Sequence, residues 1–582
     1  MEAYVTEFNK WMAAPEVSDE VKSELVALTE DEKKERFAGY MTFGTAGLRA
    51  KMGAGCAFMN EYTVAHATEG LARLILAENA ADRGVAIAYD SRINSDAFAR
   101  RSAEVLSASG IKVYLFPSLR PTPVLSYAVL KLGCIAGINI TASHNPSAYN
   151  GYKAYWEDGA QLPPDHAKRV SDAMDSIDIF KDVPAPEKAD KSKIITVSDL
   201  IDEPYMECVL EQRVNPDAIK AVADDLRIVY TPLHGAGAVM VPEVLRRAGV
   251  KNLYTVDDQM APDGSFPTVY YPNPEFPEAF KLGIELAEKV SSELVVATDP
   301  DCDRVGVMAK GKDGEFHTVT GNQMGALLLD YIITAYEKEG KLPSDAYAVK
   351  SVVSANLAEK IADAHGVKFY NVLTGFKFIG EVIKEHLAAG HGTFLLGFEE
   401  SYGYLKGTYA RDKDAVVASM LICEMAAFYK AKNMTLIDAL DELFERYGYF
   451  GERVKNIQIT GLDAAGQMVN IHQHHHDKQF LHHRLGHLDH IGVVFRADPA
   501  DRRQNAHRIL PYYCNDCSHL CFFPFFFNVF WIKERFMKCP RIDENRGEQD
   551  GSPPFCQEIT AMYGFFYPSR SIDSCSPASG TD

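Results

Sequence analysis

Between about residues 40 and 450, short runs of β-branched and apolar residues alternate with longer stretches whose apolar positions recur at helical spacing. This is the pattern of stacked α/β units. In a first module it predicts strands near 83–88, 112–116 and 134–140. These lead into the polar strings Tyr89-Asp90-Ser91-Arg92, Arg120-Pro121-Thr122-Pro123 and Thr141-Ala142-Ser143-His144-Asn145-Pro146. A charged, proline-containing stretch at 182–193 predicts a surface loop near the end of the module. A second module has a strand near 226–230 running into Thr231-Pro232-Leu233-His234-Gly235-Ala236-Gly237 and a helix, and then a strand near 294–297 that enters an acidic loop. A third has strands near 346–353, 368–373 and 393–396 and a helix from about Asn356. Its polar strings are Thr374-Gly375-Phe376-Lys377 and Gly397-Phe398-Glu399-Glu400-Ser401-Tyr402-Gly403-Tyr404. The polar, glycine-containing segments follow strands. Open α/β sheets bind ligands just beyond the carboxyl ends of their strands, so these loops are the predicted site.

The chain of 582 residues is too long for one core, and about 150 residues per domain suggests about four domains. A formal net charge of −20 argues against nucleic acid or an anionic membrane as main partner, while leaving a small anionic substrate open where local cations collect it. The start, Met1-Glu2-Ala3-Tyr4-Val5, has neither the basic nor the apolar region of a signal peptide, and no run approaches the ~18–20 apolar residues of a membrane span. The cysteines before residue 467, at 56, 134, 208, 302 and 423, have no paired spacing, which fits reduced thiols and a cytoplasmic location.

Ser143 falls just past a strand end, with His144 beside it and Lys153 shortly after, which makes it a candidate nucleophile or phosphoryl carrier. Such a Ser/Asn/Pro string can also simply turn the chain. In Asp299-Pro300-Asp301-Cys302-Asp303-Arg304, three carboxylates at alternate positions can converge on one hard cation, and oxygen-only ligation favours Mg²⁺ over zinc. They would repel one another unless a cation or Arg304 compensates; the plainer alternative is a solvated acidic turn. The glycine and glutamate of a calcium hand are missing. Glu399 and Ser401 are of the type that reads sugar hydroxyls. Thr374, Gly375, Lys377 and His234-Gly235 could offer a cation and backbone N–H groups to a phosphate or hydroxyl, and the string Phe43-Gly44-Thr45-Ala46-Gly47-Leu48-Arg49 is a glycine-spaced loop that ends on a cation. Each of these strings alone is more often a turn.

Together, in this order, the Phe-Gly-Thr-Ala-Gly-Leu-Arg, Thr-Ala-Ser-His-Asn-Pro, Asp-Pro-Asp-Cys-Asp-Arg and Gly-Phe-Glu-Glu-Ser strings resemble the α-D-phosphohexomutases, in particular the long branch of phosphoglucomutases, phosphopentomutases and sugar-bisphosphate synthases. The resemblance covers about residues 1–466. It implies three consecutive α/β domains around a central cleft, at 1–204, 205–320 and 321–450, with a smaller α+β fourth domain expected in 451–582. It also implies a phosphoserine at Ser143, Mg²⁺ held by Asp299, Asp301, Asp303 and the Ser143 phosphate, and priming by a sugar 1,6-bisphosphate. His144 and Lys153 would handle protons, and Arg49 would orient the phosphoserine region. Glu399, Ser401, Lys377, Arg304, His234, Thr374 and Gly375 would lie on the sugar phosphate. The implied reaction is interconversion of sugar 1- and 6-phosphates, most simply of glucose. Mannose, pentose or bisphosphate-synthase specificity is an alternative, since few loop residues decide it. The resemblance leaves the oligomeric state open.

The resemblance stops at about Gln467. The remaining residues are rich in histidine, carry nine Arg against three Lys where residues 1–466 hold 17 and 31, and contain six of the eleven cysteines. The family's fourth-domain Arg-x-Ser-Gly-Thr-Glu-Pro-like phosphate loop is not found; the nearest string, Pro577-Ala578-Ser579-Gly580-Thr581-Asp582, lacks the arginine. A shifted reading frame or aberrant fusion would produce such a break. Two other readings are zinc binding by the histidines with Cys514, Cys517 and Cys521, and a partner or membrane patch at the phenylalanine run 521–532, which is too short to span. A chain without the clamp could also be an impaired sugar-phosphate-binding protein.

Overall fold

The computed structural model describes residues 2–44 and 47–451, together with two short strands, Gly492–Val494 and Trp531–Lys533, that pair antiparallel with each other. Apart from those six positions, the readings of the tail lie outside the described residues. Three sheets follow one another along the chain. The first contains β1 (Leu48–Lys51), β2 (Val85–Tyr89), β3 (Val113–Leu115), β4 (Ala136–Ile140), β5 (Tyr149–Trp156) and β6 (Ile194–Thr196), in the order β1-β5-β4-β2-β3-β6. The second contains β7 (Arg227–Thr231), β8 (Asn252–Thr255), β9 (Leu294–Thr298), β10 (Val305–Lys310) and β11 (Phe316–Val319), in the order β11-β10-β9-β7-β8. The third contains β12 (Ala346–Ser351), β13 (Lys368–Val372), β14 (Thr393–Glu399) and β15 (Gly403–Leu405), in the order β13-β12-β14-β15.

One device recurs in all three. A parallel strand, β4, β9 or β14, turns back through a short loop into an antiparallel partner, β5, β10 or β15. Every residue of β4 and of β9 is buried, as expected for parallel strands covered on both faces. Helices begin where side chains can cap them: Thr320 and Gln323 form a capping box on Gly321–Lys338, and Thr435 and Asp438 form one on Leu436–Tyr447. The expected division at 204/205 falls inside helix Asp199–Glu211, whereas the one at 320/321 falls at the Thr320 cap. Three N-terminal helices, Ala3–Ala13, Asp19–Val26 and Glu30–Phe37, form an annex in which Trp11 and Phe37 pack with Tyr62 and Phe180. No helix among the described residues is long and apolar enough to cross a membrane.

The modules share a core. Tyr127 and Tyr205, Ile228 and Tyr230, and Leu396 and Tyr404 join one apolar cluster around helix Ala415–Lys430. That helix is apolar almost all round and is buried accordingly. Its N-cap, Asp414, is fully buried and accepts from the N–H groups of Val416 (2.8 Å) and Val417 (3.0 Å) and from the hydroxyls of Tyr205 (2.9 Å) and Tyr409 (2.6 Å). Removing the carboxylate strands two buried phenols and two helix N–H groups. We therefore predict that Asp414→Ala lowers stability by about 3 kcal/mol, read as a clear drop in the thermal unfolding midpoint. An unchanged midpoint would show that the helix does not depend on this cap.

Candidate active site

Ser143 opens the turn between β4 and β5. Thr141 shapes it: its hydroxyl accepts from the Ser143 N–H (2.8 Å) and donates to the buried Asp90 (2.6 Å). Ser143 takes a left-handed φ of 53°, an uncommon and costly conformation for a residue with a side chain. The result points its Oγ at Asp299, to which it donates at 2.7 Å, with His144 Nδ1 at 3.2 Å. Arg49 on β1 pairs opposite Gly151 and donates to the Asn145 side chain at 3.0 Å. A glycine is required at 151, because a Cβ there would sit 2.4 Å from the Thr141 carbonyl oxygen.

The loop between β9 and β10 folds around Asp299, whose Oδ1 accepts from the N–H groups of Asp303 (3.1 Å) and Arg304 (3.0 Å). One carboxylate oxygen from each of Asp299, Asp301 and Asp303 lies within 4.8 Å of the others, and all three residues are buried. Asp301 accepts from Thr122 (2.8 Å) and from Lys153 Nζ (2.6 Å). Asp303 accepts from the same Lys153 at 3.0 Å and lies 3.3 Å from Lys413 Nζ. Burial, then the neighbouring carboxylates, push Asp299 well above the usual carboxylate range. Burial alone would do the same to Asp303, but Lys153 and Lys413 reverse the balance and hold it low. The second oxygens of Asp301 and Asp303 are buried with no hydrogen-bond partner among the described residues. Such orphaned acceptors are costly in a dry site, and an all-oxygen donor set of this charge fits a hard divalent cation.

The loop between β14 and β15 divides two adjacent glutamates. Glu400 turns inward and accepts from Ser351 (2.8 Å) and Ser354 (3.1 Å). Glu399 accepts from the Gly375 N–H (2.8 Å), and burial, only partly offset by Lys413, raises its pKa. Ser401 is buried beside it and Thr374 is exposed. Lys377 lies in the first turn of helix Phe376–Ala389; burial, with only Glu381 opposing it, brings its ammonium down to about 8.

The structure thus brings Ser143, His144, Lys153 and the three aspartates into one cluster. Two expected ligands are engaged by protein groups in this structure. His234 is 2% exposed, and its ring nitrogens face the Ala261 carbonyl (3.2 Å) and Thr268 hydroxyl (2.8 Å). It braces the second module's own loop, while Gly235 backs so closely onto Pro300 that a Cβ would lie 2.4 Å from its Cα. The Arg304 guanidinium donates to Glu275 at 2.5 Å, and its Nε lies 3.8 Å from Asp303 of the cluster. Lys413, which the loop motifs did not point to, is a second cation on Asp303. The signal available was the string Arg411-Asp412-Lys413-Asp414: four charges directly before a predominantly apolar, buried helix are too close to the core to be a solvated face.

Comparison with known proteins gives the same three modules. Models for the phosphoglucomutase/phosphomannomutase α/β/α domains I, II and III match residues 40–180, 203–313 and 320–447. The chain belongs to the phosphoglucomutase/phosphomannomutase family. A Staphylococcus epidermidis phosphoglucomutase is 37% identical over 468 residues, covering 80% of this chain and 83% of that protein. A mouse phosphopentomutase is 34% identical over 458 residues, covering 76% and 73%. Among solved structures, Paramecium parafusin, a phosphoglucomutase in an open form, has a TM-score of 0.60 at 16% identity, covering 86% of this chain and 91% of that one. A Burkholderia thailandensis member of the family has a TM-score of 0.54 at 18% identity, covering 72% and 82%. At these identities the structures speak to the fold alone. As a family member the chain is a phosphosugar mutase, an intramolecular phosphotransferase.

Lys413 supplies a testable case of charge balance in this mutase. Lys413→Met leaves Asp303 with one cation fewer, and we predict a loss of about 3–5 kcal/mol in the absence of divalent ions, measured by thermal unfolding. Added Mg²⁺ should raise the midpoint of the variant more than that of the wild type. Equal stabilisation of both would dissociate Lys413 from the cation site.

Proposed function

We propose that this chain interconverts glucose 1-phosphate and glucose 6-phosphate, with Ser143 carrying the phosphoryl group. The observation that carries the reading is the Ser143 hydroxyl itself. A left-handed turn holds it against Asp299 at the edge of three buried carboxylates, with His144 on its other side. In the first half-reaction the bond between Ser143 Oγ and phosphorus breaks and one forms to a sugar hydroxyl, whose proton passes by way of His144 to the departing Ser143 Oγ. The sugar bisphosphate then turns over in the cleft. Its other phosphate returns to Ser143, whose hydroxyl proton passes back by way of His144 to the departing sugar oxygen. Lys153 stays protonated through these steps: burial opposes its charge, but Asp301 and Asp303 more than compensate and raise its pKa. Its role is to neutralise charge beside the transferring phosphoryl group.

Asp299, Asp301 and Asp303, with the phosphate on Ser143, would hold Mg²⁺, which when bound neutralises charge on the transferring oxygens. We assign Glu399 and Ser401 to the sugar hydroxyls, Lys377 with Thr374 and Gly375 to the rim of the substrate site, and Arg49 to the orientation of the Ser143 loop. A sugar 1,6-bisphosphate primes the enzyme, and its place of work is the cytoplasm. Pentose or mannose phosphates are the alternative substrates. Because the sequence lacks the Arg-x-Ser-Gly-Thr-Glu-Pro-like loop, an impaired protein that loads Ser143 without turning over is the second reading.

A coupled assay with Mg²⁺, glucose 1,6-bisphosphate and glucose, mannose and ribose 1-phosphates separates these readings. We expect turnover on glucose 1-phosphate and a loss of at least about 10³-fold in Ser143→Ala, the scale on which removing a nucleophile acts. Full activity in Ser143→Ala would overturn the reading, and Ser143 loading without turnover would establish the impaired protein. A second expectation concerns pH. Lys377 is charged below about 8 and neutral above it. A cation that gathers anionic substrate is therefore present at neutral pH and lost on the alkaline side. kcat/KM should fall above pH about 8, and Lys377→Arg should move that limb upward by more than a unit. A limb that stays in place in Lys377→Arg would exclude Lys377 as its source.

A further inference from the structure

Resting on the reading of Ser143 as the phosphoryl carrier, we propose that Arg92 is the positioning residue that sets the geometry of its loop, and that Phe266 of the second module locks it in place. The guanidinium is wholly buried. It donates to four backbone carbonyls of one turn, Ser143 (2.6 Å), Asn145 (2.5 Å), Pro146 (2.9 Å) and Tyr149 (3.0 Å). A carbonyl fan of this kind fixes the turn from within, as no single side chain in the turn can.

The same arginine is tied to the other support of Ser143. Its N–H donates to Asp90 (2.9 Å), and its Nε lies 3.4 Å from the second oxygen of that carboxylate. That second oxygen accepts from Thr141, whose hydroxyl in turn accepts from the Ser143 N–H. Carbonyl and amide of Ser143 are therefore held by one buried ion pair, which explains how a serine keeps a left-handed φ.

Ser147 lines a cavity of about 400 Å³ together with Ser265, Phe266, Thr268 and Tyr270. The second module also packs directly on Arg92. Phe266, itself left-handed at φ 49° and 3% exposed, places its ring 5.0 Å from the Arg92 guanidinium. Gly264 comes so close to the Arg92–Ile93 backbone that a Cβ would meet the Ile93 nitrogen at 2.3 Å. The module that supplies the aspartates thus also caps the residue that aims the serine at them.

The test compares the full-length wild type, Arg92→Lys and Phe266→Ala. Glucose 1,6-bisphosphate is added to each, phosphorylation of Ser143 is followed by mass spectrometry, and kcat, KM and the unfolding midpoint are measured in parallel. Arg92→Lys keeps the charge but loses the fork. Misplacement of a reacting group by about 1 Å costs about 100-fold, so its loading rate and kcat should both fall by about that factor while KM stays within about threefold. Phe266→Ala leaves the four carbonyls bonded and should show the same pattern at about tenfold. Wild-type loading rates in both folded variants would overturn the proposal, as would a raised KM with kcat kept, or losses that only track the folded fraction. Where Arg92→Lys does not fold, Phe266→Ala decides alone. A wild type that is never phosphorylated at Ser143 would instead overturn the underlying reading of the serine.

Discussion

Three carboxylates with almost no access to water are the constraint around which this molecule is arranged. Asp299, Asp301 and Asp303 come from one loop of the second module, and the second module alone does not neutralise them. Arg304, their neighbour in sequence, is already engaged by Glu275. The ammonium groups that meet them are Lys153 on β5 of the first module and Lys413 just before the central helix of the third. A buried ion left without its partner costs several kcal/mol, so the separated modules are each disfavoured by their own unmatched charge. Docking the three around one point removes that penalty. Arg304 stands 3.8 Å from Asp303 but is shared with Glu275, and the second oxygens of Asp301 and Asp303 are buried without a hydrogen-bond partner among the described residues, a donor set that suits a divalent cation.

The loops that meet at this point are built alike. Each is the reversal between a parallel strand and an antiparallel neighbour, and each contains one residue with a side chain at positive φ: Ser143, Cys302 and Tyr402. Such residues cost of order 1–3 kcal/mol and persist only where the surroundings over-determine them. Here the surroundings are a fan of carbonyls on Arg92, two loop N–H groups on Asp299, and the hydroxyls of Ser351 and Ser354 on Glu400. The strain buys aim: phosphoryl transfer depends on positioning and charge neutralisation far more than on covalent help from the protein.

What could be read from the sequence follows from how local each cause is. β4 and β9 are continuous apolar runs because both faces are covered, and they are visible as such. β5 is nearly as buried yet escapes the pattern, since Asn150, Gly151 and Lys153 interrupt its aromatics for reasons that lie in the site and across the sheet. The N-terminal helices, each with a single buried side chain, give too weak a periodic signal. Ser143 and the aspartates were legible because their chemistry demands given residue types at close spacing. Lys413 was not, because the carboxylate it serves is more than a hundred residues away in the chain. The contacts of His234 were not legible, because a histidine after a strand looks the same whether its ring turns toward the cleft or bonds within its own loop, as it does here.

Lys413 also shows how the two ends of the cleft are electrically joined. Its ammonium is wholly buried, and only Asp303, Asp412 and then Glu399 outweigh the burial to hold its pKa above the ordinary value. Asp303 lies in the loop after β9 and Glu399 at the end of β14, so one buried charge serves both loops. Removing negative charge at either end releases some of the hold of Lys413 on that end and strengthens it on the other. A bound cation at the aspartates would therefore leave Lys413 more available to Glu399, which stabilises the ionised, acceptor-only form of that carboxylate. The electrostatics of the two loops are therefore joined through one lysine.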